Sequence, residues 1–195
     1  MLHLLRPELL LFVLLSLVTG VLYPLAVTGF AQVLFPHPAN GSIVERGGSP
    51  VGSTLIGQQF SSSGYFWVRP SATGTHANNP EASAGSNLGP TNPVLVDAVR
   101  ARIAALRAAD PGNELAVPVD LVTSSGSGLD PDMSLAAASY QAARVAKARD
   151  VPVERIQALV EQHAKRPWLV IFGEPRVNVL GLNLALDGRE ILKLE

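Results

Sequence analysis

The chain contains no cysteine. That excludes a disulfide framework, a thiolate metal site and a cysteine nucleophile. Charge of one sign is also lacking, since 15 Lys+Arg stand against 16 Asp+Glu. A nucleic-acid surface would be basic, so nucleic acid is not expected as a partner. The four histidines, His3, His37, His76 and His163, are scattered. No HExxH or paired spacing supports a metal site. The most informative absence is local: no charged residue occurs between Glu8 and Glu45.

Within that gap, residues 9–35 read LLLFVLLSLVTGVLYPLAVTGFAQVLF. A bilayer core is crossed by about 20 apolar residues of helix, at roughly 1.5 Å rise each. The run exceeds that length and can span with a tilt or with a kink at Pro24. Two readings compete with an anchor. A cleaved signal peptide would take Arg6 as its n-region and Gly29-Phe30-Ala31 as its cleavage site, yet signal h-regions run only about 7 to 15 residues. A buried core helix rarely goes so long without a charge. The residues favour an uncleaved anchor, with membrane lipid as a partner.

Positive charge sets the orientation. The N-terminal flank, residues 1–8, carries Arg6 with His3 nearby, and the other flank has no Lys or Arg until Arg46. The positive-inside rule then puts the N-terminus in the cytoplasm and the large domain outside. Ser16 and Gly20 are small enough for close helix contact, and Gln32 can hydrogen-bond a neighbouring helix.

Residues 36–52 read as a linker, because two prolines and Asn40-Gly41 stop the helix. Residues 53–195 suit one α+β soluble domain. Within it, Ser53 to Phe60 and Val117 to Thr123 are expected as strands. Residues 61–93 are rich in Asn, Gly and Pro and form a long irregular excursion. Tyr65, Phe66 and Trp67 near its start favour docking over disorder. Asn92 should cap a helix whose first turn holds Pro93 and whose stripe is Leu95, Val99, Ile103 and Leu106. Ser134 should cap a second, alanine-rich helix to about Arg149, and Pro152 opens a third. Trp168 to Phe172 is expected as a buried strand. The alternation from Pro175 to Leu186 is expected as another, ending in the Asp187-Gly188 turn.

The loop from Ser124 to Pro131 before the second helix is the one phosphate-like feature, since N–H groups at a helix start attract anions. It lacks the lysine and spacing of GxxxxGK[ST], and Asp130 and Asp132 would repel phosphate. Ser125 and Ser127 are in no GxSxG elbow. No catalytic constellation is recognisable, which points to an accessory subunit.

Several stretches then carry a resemblance. They are Leu55-Ile56-Gly57-Gln58-Gln59-Phe60, Tyr65-Phe66-Trp67-Val68-Arg69-Pro70-Ser71 and Ser86-Asn87-Leu88-Gly89-Pro90-Thr91-Asn92. Further on come Val117 to Pro131, Ala138-x-x-Gln141-x-x-Arg144 and Gly173-Glu174-Pro175-x-Val177-Asn178. In this order the chain resembles the C subunit of the Kdp-type bacterial potassium-transporting ATPase. The resemblance implies an inner-membrane complex with a channel-like potassium-binding subunit, a P-type ATPase subunit and a small peptide subunit. ATP hydrolysis would reside on the P-type subunit, leaving this chain with no catalytic residue and no cofactor of its own. ATP would be met, if at all, through the complex. The family is commonly described as a catalytic chaperone that raises ATP affinity, and the Ser/Gly loop and Gln141 resemble a nucleotide-contacting signature. The candidate nucleotide or subunit contacts are therefore Ser125, Ser127, Gly128, Asp130, Gln141 and Arg144. The candidate interface is Tyr65, Phe66, Trp67, Arg69 and Asn87. The charge rule opposes ATP contact, because a domain outside cannot touch cytoplasmic ATP. Alternatives from other classes are a membrane-anchored hydrolase and a free-standing extracytoplasmic binding module.

Overall fold

The computed structural model describes residues 2–167 and 173–188. It falls into two compact units with the boundary between Ile43 and Val44.

The first unit is dominated by one long helix. It comprises α1 (Leu2–Leu17), a single wide π turn (Val18–Leu22) and α2 (Tyr23–Leu34). The stretch Leu5–Leu34 is long and apolar enough to cross a membrane, and its most apolar window has a mean hydropathy of 2.4 with none of it buried. Such a surface suits hydrocarbon, not water. Pro24 explains the wide turn: it has no N–H for the carbonyl one turn back, and its ring presses on that carbonyl. The helix stops at Phe35 (φ −136°, ψ 57°), where Pro36 begins the four-residue α3 (Pro36–Ala39). Asn40 Nδ2 donates to Pro36 O at 2.7 Å and to Gln32 Oε1 at 3.1 Å. Gln32 thus already has a partner within its own unit.

The second unit is α+β. Residues 36–52, expected as a linker, include strands β1 (Ile43–Arg46) and most of β2 (Ser49–Ser53), which pair with each other. Later come α4 (Pro93–Ala109), β3 (Asp132–Ser134), α5 (Leu135–Arg149), α6 (Val153–His163), β4 (Ala164–Lys165), β5 (Arg176–Asn178) and α7 (Val179–Leu186). β5 lies between β3 and β4, antiparallel to both, and Val177 pairs with Met133 on one side and Ala164 on the other. The helix starts follow their caps. Asn92 Oδ1 accepts from Val94 N at 3.0 Å, and Ser134 Oγ accepts from Ala137 N at 3.0 Å. α5 ends where Asp150 turns left-handed at φ 53°. Its buried Ala138, Ala142 and Ala146 present a small-residue surface to the core. Phe66, Val145, Val177 and Leu182 are fully enclosed there.

Three expected strands differ. Beyond Ser53 the chain turns, so β2 ends where that strand was to begin. Val119–Leu121 is one 3-10 turn following Pro118, held by Asp120, whose carboxylate accepts from Ser134 N and Oγ. The alternation from Pro175 gives a strand only over Arg176–Asn178. Asn178 Oδ1 then accepts from Gly181 N at 3.0 Å and starts a helix. An apolar run buried on all sides does not distinguish strand from helix, so the cap decides. The expected strand at Trp168 to Phe172 lies outside the described residues. The excursion 61–93 is irregular but ordered, carrying Phe66 and Val68 into the core.

Phe66→Ala should destabilise the protein by about 3–5 kcal/mol, the usual cost of emptying an aromatic site in a core. Thermal unfolding of the full chain in detergent measures it. An unchanged midpoint would place the ring outside the core.

Candidate functional site

Residues 63–67 bond to α5 and α7, and among the described residues no strand pairs with them. Two side-chain amides take the place of one. Asn183 on α7 accepts from Phe66 N at 2.8 Å and donates to Phe66 O at 3.0 Å. Gln141 on α5 accepts from Trp67 N at 2.8 Å and donates to Trp67 O at 3.1 Å. Both amides are buried. Each offers one acceptor and donors in the geometry of a peptide group, so together they complete the backbone of two consecutive residues.

Arg144 closes the same site. Its Nη2 donates to Gln141 Oε1 at 2.7 Å, its Nη1 to Ser63 O at 2.6 Å, and its guanidinium lies 4.3 Å from the centre of the Trp67 ring. Burial lowers its pKa to about 10, with Asp110 pulling the other way. The group therefore remains a cation at neutral pH, held by carbonyls and a ring face. A turn further on, Arg149 stacks 4.8 Å over Tyr65 and donates to Gly64 O and Leu186 O. It also pairs with Asp187 at 2.9 Å, and Tyr65 Oη donates to that carboxylate at 3.0 Å.

The Ser/Gly loop forms a second cluster. Ser125 Oγ accepts from Gly128 N at 2.9 Å, and Ser127 Oγ accepts from Leu129 N at 3.2 Å. Those are N–H groups that a phosphate cradle would need. Ala84 N donates to Ser127 O, and Ser71 Oγ donates to Gly128 O. Gly128 sits at φ +69°, and a Cβ there would lie 2.6 Å from Ala84 O. Asp130 pairs with Arg69 at 2.8 Å and accepts from Asp132 N. A cleft of about 620 Å³ is lined by Arg69, Asp120, Asp130, Asp132, Glu174 and Arg176 among others. Its aspartates are engaged, Asp132 with Arg176 at 2.9 Å and Asp120 with Ser134. Among the described residues no group of three or more His, Asp or Glu is placed to hold a metal.

The structure thus joins Gln141 and Arg144 with Phe66 and Trp67, and it joins Ser125, Ser127, Gly128 and Asp130 with Arg69. The 620 Å³ cleft reaches Arg69 and Asp130 of the second set and neither Gln141 nor Arg144 of the first. Phe66 is fully enclosed, Trp67 is half-buried, and Asn87 is exposed at φ 51°. Ser16 and Gly20 are exposed on the long helix. Sequence reasoning missed Asn183 and the Arg149–Asp187 pair. Asn183 had a signal, a lone amide inside VLGLNLAL; the ion pair had none, its partners being 38 residues apart.

A family model described as the K+-transporting ATPase c chain matches residues 5–188. The potassium-transporting ATPase KdpC subunit of Polaromonas naphthalenivorans is 64% identical over 95% of this chain and 94% of its own. The KdpC subunit of Methylibium petroleiphilum is 63% identical over 95% and 97%, and that of Herpetosiphon aurantiacus is 59% identical over 93% and 94%.

Gln141→Ala leaves the Trp67 N–H and C=O without their partner inside the domain. The expected cost is roughly 3 kcal/mol, from buried groups that lose their bonds. The measurement is a thermal melt beside a nucleotide-binding titration of the assembled complex. A melt unchanged with nucleotide binding lost would reverse the assignment from fold to ligand.

Proposed function

This chain belongs to the c-chain family of potassium-transporting ATPases, and we propose that it serves as the membrane-anchored accessory subunit whose folded domain stands outside the cytoplasm. Leu5–Leu34 anchors it in the inner membrane, and the Arg6 flank faces inward. The partners are the channel-like potassium-binding subunit, the P-type ATPase subunit that hydrolyses ATP, and the small peptide subunit. The domain supports assembly and uptake from the side of ion entry.

The observation that carries this reading is the internal engagement of Gln141 and of the Gly128 and Leu129 N–H groups. A nucleotide would have to displace bonds on which the fold itself rests. Raised ATP affinity in the complex, the chaperone effect implied by the family, is then a consequence of assembly rather than of contact with ATP. Direct contact is the second reading, and it requires the opposite orientation.

Topology separates the two. Ser127 is exposed and the chain has no cysteine, so Ser127→Cys provides a single reporter. A membrane-impermeant maleimide should label it in intact cells. Labelling only after lysis would overturn the outside domain and make ATP contact the leading mechanism.

A further inference from the structure

A groove of about 510 Å³ lies between α6 and the end of α7. Arg155 and Leu159 stand one turn apart on its α6 wall. Val151, Ile156 and Leu186 continue the apolar surface, and Val151, Leu159 and Leu186 pack on the core while staying only half-buried. Two cations line the groove. Arg149 is committed, to Asp187, Gly64 O and Leu186 O. Arg155 is exposed and takes part in none of the ion pairs among the described residues. An apolar floor with one unspent cation at its rim suits a segment that carries leucines beside a carboxylate.

Such a segment is tethered at the groove itself. Gly188 lines it, donates its N–H to Ala185 O at 3.0 Å and has a φ of +71°. That is the left-handed glycine that ends a helix and turns the chain aside. Residues 189–195, outside the described residues, follow directly and read REILKLE. Extended, they reach about 23 Å, whereas α6 is about 16 Å long. They can therefore run along the α6 wall. Alternate residues of an extended chain share a face, which groups Glu190, Leu192 and Leu194. A free phosphate would meet Arg155 alone above an apolar floor. A partner from outside would compete with a segment whose effective concentration is about millimolar.

We propose that residues 189–195 dock in this groove as an extended latch. Leu192 and Leu194 cover the floor of Ile156, Leu159 and Leu186, and Glu190 pairs with Arg155. The latch closes the apolar edge between α6 and α7 with the chain's own residues, so that this side of the domain is not a docking surface for another subunit. The inference is independent of the accessory-subunit reading and of the orientation in the membrane.

The test uses the full chain in detergent, where the absence of cysteine leaves no background. Ala158 lines the groove, and its neighbour Gln157 is exposed without lining it. Ala158→Cys and Gln157→Cys are each combined with Leu192→Cys, and disulfide formation is followed under mild oxidation. The two pairs have nearly the same tether, so their rates report which side of α6 the segment meets. The Ala158 pair should close within one chain about tenfold faster, equivalent to about 1.4 kcal/mol of docking. Arg155→Glu should bring that rate down towards the Gln157 pair, and adding Glu190→Arg should restore it. Thermal melts confirm that each variant is folded. Equal rates for the two pairs would overturn the inference. So would a preference of the Ala158 pair for disulfide-linked dimers, which would assign the groove to a second copy. A double charge reversal that fails to restore the rate would overturn it too.

Discussion

The pairing of two buried amides with the backbone of Phe66 and Trp67 is the constraint on which the soluble domain depends. Its larger sheet has strands of only two and three residues, too little to order a domain by itself. Order comes instead from helices that grip an irregular strap. Gln141 and Asn183 reach the strap from α5 and α7, and their amides do for residues 66 and 67 what neighbouring strands would do in a sheet. The Phe66 side chain can then enter the core without leaving its own N–H and C=O unpaired. Packing and hydrogen bonding are thus one event here, and neither survives without the other.

Arg144 shows the cost of that arrangement. Burial disfavours the Arg144 guanidinium and lowers its pKa, and the Asp110 carboxylate offsets only part of that. The burial is tolerated because Ser63 O, Gln141 Oε1 and the Trp67 face surround it. The same cation fixes the acceptor side of Gln141, leaving the amide nitrogen to donate to Trp67 O. Charge at Arg144 therefore orients a neutral amide.

What was legible in the sequence follows the locality of the forces. Caps are local, and Asn92 and Ser134 mark helix starts that the structure places at the next residue. The long apolar helix is local as well. The segment Val179–Leu186 was not legible as helix, because continuous burial erases the period that separates helix from strand, and only Asn178 tips the balance. Gln141 and Arg144 stood out in the sequence through the resemblance, but their partners lie 74 and 81 residues away in a loop with no regular structure. A pattern along one helix cannot disclose what that helix closes upon. Pro24 announced a disturbance, yet whether it would kink the helix or widen one turn depends on the whole ladder.

The two units meet the same requirement in opposite ways. In the soluble domain, the backbone of Phe66 and Trp67 is completed by side chains of its own chain, while Arg69 Nε and Tyr140 Oη stay buried without a bond among the described residues. In the long helix, the donor removed by Pro24 is not replaced by Thr19, whose hydroxyl turns back to Leu15 O. Every backbone polar group in hydrocarbon must find a partner within protein. The first solution is open to any segment that folds against its own chain, whereas a single helix can only adjust its own ladder, as the wide turn Val18–Leu22 does beside Pro24.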